Sequence, residues 1–118
     1  MRTFIRSFRH ALAGLLYALK TERNFQIEFV VAVVIFILML IFPLTFPERA
    51  LLVAMTAIVL SLELMNTSFE RMLDMLKPHV HPYVKVIKDL VAGAVLIASL
   101  AAFIVGLLIF LPHLRGLF

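Results

Sequence analysis

The sequence predicts an all-α integral membrane protein, built as an N-terminal amphipathic surface helix followed by three transmembrane helices. Three observations carry that expectation. The chain has 118 residues, is 64% hydrophobic and only 15% charged, whereas soluble domains run about 45–50% apolar and ~25% charged. Three of its runs are apolar for long enough to cross a bilayer, which takes about 20 residues. The N-terminal stretch instead puts apolar and basic residues on opposite stripes of a helix. A soluble globule of this length has no interior large enough for so many apolar side chains. The net charge of +4 is clustered beside the apolar runs, which excludes the charge balance of a nucleic-acid binder. No cysteine is present, so no disulfide framework or cysteine metal site exists. The length suits a single domain, 1–118.

The surface helix is expected over 1–21. Phe4, Phe8, Leu12, Leu15 and Leu19 recur at helical spacing. Arg2, Arg6, Arg9 and Lys20 fall within roughly 60° of one another on the other side, the pattern of a helix lying on a membrane. A secretory signal does not fit, because Lys20 and Glu22 follow with no cleavage site.

The first span is expected at about 25–46. It is free of formal charge from Phe29 and closes in the breaker-rich Pro43-Leu44-Thr45-Phe46-Pro47. The second, about 49–72, is uncharged from Ala50 to Leu62, and its pattern runs on past Glu63 and Asn66. The third, about 86–112, belongs to an uncharged run from Leu90 to Leu114. Its Ala94, Ala98, Ala102 and Gly106 form a small-residue seam that lets helices approach closely. Three spans enclose a polar site poorly alone, so self-association is expected. Arg2, Arg6, Arg9, Lys20 and Arg23 precede span one, and Arg71, Lys77, Lys85 and Lys88 surround the second connection. The positive-inside rule then places the N-terminus and the 71–89 loop in the cytoplasm.

Several residues are costly in such a chain. Glu63, Asn66, Thr67, Glu70 and Asp74 lie within an arc of roughly 100° on span two, one polar stripe on an apolar helix. Counted from Ala50, Glu63 is ~20 Å along the span and Glu70 ~30 Å, below and at the membrane boundary. Glu22, Glu28, Lys88 and Asp89 belong to the same layer. Clustered carboxylates suit a hard divalent cation, and Mg²⁺ prefers a few of them plus phosphate oxygens. The lysine suits phosphate charge. A carboxylate held deeper, away from water, can take a proton from a hydroxyl near the interface. Together these are the parts of phosphoryl transfer to a lipid alcohol. Arg71, Lys77 and Lys85 are assigned instead to snorkelling or to pairing that holds helices together, and His79 and His81 read as loop residues. No Walker or kinase-type glycine loop is present.

The block Glu63-Leu64-Met65-Asn66-Thr67-Ser68-Phe69-Glu70, with Asp74 beyond it, resembles the signature of the prokaryotic diacylglycerol kinase family. Lys88-Asp89 with Ala92-Gly93-Ala94 is similar to that family's second block. Thr21-Glu22-Arg23-Asn24-Phe25 resembles the opening block of its Gram-positive branch, the undecaprenol kinases. Ser7-Phe8, His10-Ala11, Gly14 and Phe110-Leu111-Pro112 resemble that branch too.

The resemblance implies a homotrimer in the bacterial cytoplasmic membrane, with active sites shared between subunits and ATP as phosphoryl donor. It makes Glu63 the catalytic base and Glu22 and Glu70 the Mg²⁺ ligands, both also facing the nucleotide. It makes His10, His81, Lys88 and Asp89 nucleotide contacts, and Asn66 and Asp74 site-shaping residues. Two departures stand out: the chain lacks the tryptophans of the Gram-negative members, and Glu28 stands where Gram-positive relatives often have histidine. The expected activity is ATP- and Mg²⁺-dependent phosphorylation of undecaprenol, with diacylglycerol as the alternative substrate. Two other classes, a small proton-coupled exporter subunit and a membrane scaffold, fit less well. The carboxylates cluster at one boundary instead of the midplane, and a scaffold needs no such layer.

Overall fold

The computed structural model describes residues 1–76 and 82–117, and every regular element among them is an α-helix. The helices are α1 (Arg2–Thr21), α2 (Arg23–Ile41), α3 (Phe46–Asp74) and α4 (Pro82–Leu117). Three of them, α2, α3 and α4, are long and apolar enough to cross a membrane. Side chains such as Phe36, Leu40, Ile97, Phe103 and Leu108 point outward, an arrangement suited to lipid tails and not to water.

Each boundary has a local cause. Between α1 and α2 a single residue, Glu22, leaves the helical region, at φ −109° and ψ 110°. Its N–H still donates to the Ala18 carbonyl at 2.9 Å, and its carbonyl accepts from Gln26 N–H at 3.0 Å. The Gln26 Nε2 donates back to the Leu19 carbonyl at 2.8 Å, satisfying one of the orphan acceptors at the end of α1. Glu22 is therefore the last cap of one helix and the first of the next, with its acid at the helix start that favours negative charge.

The α2–α3 turn is built on proline. Phe42 precedes Pro43 and is extended, since the proline ring disfavours a helical residue before it. This stops α2 at Ile41, short of the expected 46. Thr45 then opens α3 with a capping box. Its N–H donates to Glu48 Oε1 at 2.9 Å, and Glu48 N–H donates to Thr45 Oγ1 at 3.3 Å, while Pro47 sits in the first turn. Helix α4 starts at Pro82, earlier than the expected 86, as proline is tolerated where the first N–H has no partner anyway.

The spanning helices run antiparallel in sequence, α3 packing on both α4 and α2, while α1 packs on α2. At the turn end, Met39, Leu44, Leu52, Ile109 and Phe110 form the apolar core, with Phe42 edge-on to Phe110 at 5.7 Å. The other end brings together Glu22, the end of α3 and the beginning of α4. There the buried residues are Ala18, Phe25 and Leu73 with three polar ones, Glu63, Asn66 and Thr67.

Candidate active site

The 3.6-residue period of α3 puts Glu63, Asn66 and Thr67 on the face turned inward, with Glu70 on the same stripe one turn further on and exposed. Glu63 is 4% exposed and Asn66 7%. Leaving an acid and an amide this deep in an apolar chain is expensive. Glu63 lies within hydrogen-bonding reach of Asn66 and within electrostatic reach of Glu22 and Glu70. Asn66 Nδ2 donates to Glu70 Oε1 at 3.4 Å. Its Oδ1 is buried and has no partner among the described residues.

Glu63 and Asn66 open into a cavity of about 320 Å³ whose other walls are Asn24, Ile27 and Glu28 of α2 and Ala92, Val95, Leu96 and Ser99 of α4. Above it, toward the Glu22 end, α1 and α3 bound a groove of about 940 Å³ lined by Gly14, Tyr17, Thr67, Ser68, Arg71 and Asp74. That volume is in the range of small-molecule sites, about 300–1,000 Å³.

Charged pairs stitch the helices together around this groove. The Arg71 guanidinium donates to Glu22 Oε1 and lies over the Tyr17 ring, 5.8 Å from its centroid. Lys88 Nζ of α4 donates to Asp74 Oδ1 of α3 at 2.8 Å. Lys85 and Asp89 pair along α4 at 2.8 Å, both well exposed. The structure thus brings Glu22, Glu63, Asn66, Glu70, Asp74 and Lys88 to one end of the bundle. Asp89 sits at that end on the outer side of α4. His10 is exposed on α1, adjacent in sequence to Ala11 of the groove. His81 lies outside the described residues, as do Lys77 and His79.

Among the described residues no three His, Cys, Asp or Glu side chains close around a common metal position. The donor set nonetheless fits a hard divalent ion. Glu22 and Glu70 both lie within electrostatic reach of Glu63, and the orphaned Oδ1 of Asn66, whose Nδ2 donates to Glu70, is of the same hard type. A site of one or two carboxylates completed by phosphate oxygens is how Mg²⁺ is usually held.

Sequence reasoning gave no site role to Arg71, Tyr17 or Ser99. Arg71 follows Glu70 directly and its basic charge was readable, but the partner that defines it lies 49 residues away. Ser99 carried no signal at all, being one small polar residue in an apolar run.

Comparison with known proteins adds an independent line. The model of the prokaryotic diacylglycerol kinase family matches residues 9–110. The chain is 37% identical over 114 residues to the undecaprenol kinase of Bacillus subtilis (strain 168), covering 97% of this chain and 93% of that protein. It is 39% identical over 112 residues to the diacylglycerol kinase of Synechocystis sp., covering 94% of this chain and 64% of that longer protein.

Proposed function

This chain belongs to the prokaryotic diacylglycerol kinase family and is a membrane lipid kinase, and we propose that it phosphorylates undecaprenol, with ATP as donor and Mg²⁺ as metal. The observation that carries the mechanism is the buried Glu63, set in a cavity below a layer of carboxylates and basic groups. The choice of undecaprenol rests on the Bacillus relative, which matches along nearly its whole length.

In this reading the primary hydroxyl of the lipid enters the Glu63 cavity from the membrane side. Glu63 accepts the hydroxyl proton as the oxygen attacks the γ-phosphorus. The bond from that phosphorus to the bridging oxygen breaks and ADP leaves with it. Glu63 then holds the proton until it returns to water, so charge and atoms balance. Glu22 and Glu70 would hold the metal, which when bound would offset phosphate charge. Lys88 supplies a further cation, and His10, His81 and Asp89 contact the nucleotide. Asn66 and Asp74 hold Glu70 and Lys88 in place, as their hydrogen bonds to those side chains indicate.

The basic residues flanking the spans support an N-terminus and active site on the cytoplasmic face of the bacterial inner membrane, with α1 lying along that surface. Extensive outward apolar surface and the small-residue seam of α4 support assembly into a homotrimer with sites shared between subunits. The deciding experiment is a paired assay in mixed micelles, with labelled ATP and Mg²⁺ and either undecaprenol or diacylglycerol. Preference for undecaprenol is expected. Preference for diacylglycerol, the lipid in the name of the Synechocystis relative, would keep the residue roles and replace the substrate. Phosphate on neither lipid would overturn the assignment.

A further inference from the structure

Arg71 is the sole basic side chain among the described residues that line the groove between α1 and α3. Its guanidinium donates to Glu22 Oε1 and covers the Tyr17 ring, 5.8 Å from the centroid. The pair is unevenly covered, with the Arg71 side chain 54% exposed and the Glu22 side chain 19%. Glu22 stands at the N-cap position of α2, yet its carboxylate makes no capping bond. An acid there ordinarily accepts from the second or third N–H of the helix. Here it turns to α3, so it can change partners without loosening the start of α2. The neighbouring cation, Lys88, is held by Asp74 at 2.8 Å, an acid with no metal role. Arg71 is held by one that has such a role.

We propose that Arg71 is a phosphate-binding residue of the nucleotide site, and that it exchanges partners with Glu22 when metal and nucleotide bind. Glu22 turns to the divalent ion and the guanidinium to phosphate oxygens. The proposal rests on the reading of Glu22 as a metal ligand and adds a residue which that reading leaves as a brace.

Three physical arguments carry it. A divalent ion and a guanidinium on one carboxylate repel each other, so occupancy by the first weakens the hold of the second. An ion pair as exposed as this one contributes little to stability, and its loss is readily offset by a new partner. The freed group has the right shape, because the planar guanidinium presents paired N–H donors that match two phosphate oxygens. Charge points the same way. Glu22 and Glu70 already lie within electrostatic reach of Glu63, and a polyphosphate adds more negative charge to that layer. A cation released at the moment of binding counters it where it arises. The rival account is a plain brace that keeps α1 on α3. Loss of a brace weakens every ligand of the groove or none, whereas loss of an exchanging cation moves metal and nucleotide in opposite directions.

The test measures binding, without turnover, on the full chain in detergent micelles. Mn²⁺ alone is followed by electron paramagnetic resonance, and a non-hydrolysable ATP analogue by equilibrium binding at saturating Mg²⁺. Arg71→Gln should tighten Mn²⁺ roughly two- to fivefold, the worth of an exposed ion pair removed from competition. The same variant should weaken the analogue roughly tenfold or more, as for losing a hydrogen bond to a charged group. Arg71→Lys keeps the charge and loses the fork. Its Mn²⁺ affinity should match wild type, and its analogue affinity should fall between wild type and Arg71→Gln.

A second readout uses the lack of tryptophan. Tyr17 and Tyr83 are the two tyrosines of the chain, so in a Tyr83→Phe background the emission belongs to Tyr17. Mg²⁺ with tripolyphosphate should change that emission as the guanidinium leaves the ring, and should change nothing once Arg71→Gln is added. Mn²⁺ and analogue affinities that fall together, or that both stay at wild type, would overturn the proposal and leave Arg71 a brace. So would a Tyr17 emission indifferent to Mg²⁺ and tripolyphosphate. Glu22→Gln keeps the two readings apart. Wild-type Mn²⁺ affinity in that variant would remove Glu22 as a ligand and the exchange with it. Weakened Mn²⁺ binding there, beside an indifferent Arg71→Gln, would reject the exchange alone.

Discussion

Replacing Glu63 by glutamine removes a proton acceptor and very little else. The two side chains have nearly the same shape, and an amide can keep the contact with Asn66. Glu22, Glu28 and Glu70 all lie within electrostatic reach of Glu63, so losing this charge relieves repulsion instead of creating it. Folding and nucleotide binding should therefore match wild type or exceed it. Turnover should not. A positioned general base contributes about 10²–10⁴-fold, which corresponds to about 3–5 kcal/mol of barrier at about 1.4 kcal/mol per tenfold. Burial at 4% exposure leaves little room for bulk water to substitute as acceptor, so the upper part of that range is expected. Glu63→Asp keeps the charge but withdraws it by one methylene, and its turnover should fall between the two. The assay is single-turnover phosphoryl transfer with nucleotide affinity measured in parallel. Retention of more than a tenth of wild-type turnover by Glu63→Gln would refute the assignment of Glu63 as base.

Other substitutions separate the remaining roles. Glu70→Gln should raise the Mg²⁺ concentration needed for half-maximal activity by roughly tenfold or more, at the about 1.5–3 kcal/mol expected for losing one charge-assisted partner; unchanged metal dependence would reject it as a ligand. Thr45→Ala removes one half of the capping box and should cost about 0.5–2 kcal/mol, read as a lower midpoint of unfolding in mixed micelles with kcat unaffected. Glu63→Gln on α3 co-assembled with Asp89→Asn on α4 should recover more activity than either variant shows alone, if one subunit supplies the α3 groups of a site and its neighbour the α4 groups. No recovery at any mixing ratio would argue for sites built within one subunit.

The sequence displays some of this architecture directly and hides the rest for physical reasons. Composition alone shows α4, because the run from Leu90 to Leu114 has no soluble explanation. The inward polar face of α3 is equally visible, since a 3.6-residue period places Glu63, Asn66 and Glu70 on one side without knowledge of any neighbour. Which helix that face meets is a different kind of information. The pairs Arg71–Glu22 and Lys88–Asp74 join separate helices, and no spacing rule within one helix encodes them. The seam of Ala94, Ala98, Ala102 and Gly106 teaches the same lesson. Small residues predict close approach, yet within this chain Ala102 and Gly106 face open space. Small size permits a tight helix contact or a passage, and only the packing of the neighbours decides between them.

The one-residue break at Glu22 fixes a phase as well as a position. Because α2 begins where α1 ends, the two helices share a rotational register with no slack between them. Inserting one residue there would turn α1 by about 100°. That rotation would carry Tyr17 off the Arg71 guanidinium and roll the stripe of Arg2, Arg6 and Arg9 a quarter-turn about the axis. Deleting one would do the reverse. A length change in the first turn of α1 leaves the phase between Tyr17 and Arg71 as it is. At the joint itself, the count of residues is as much a part of the site as their identity.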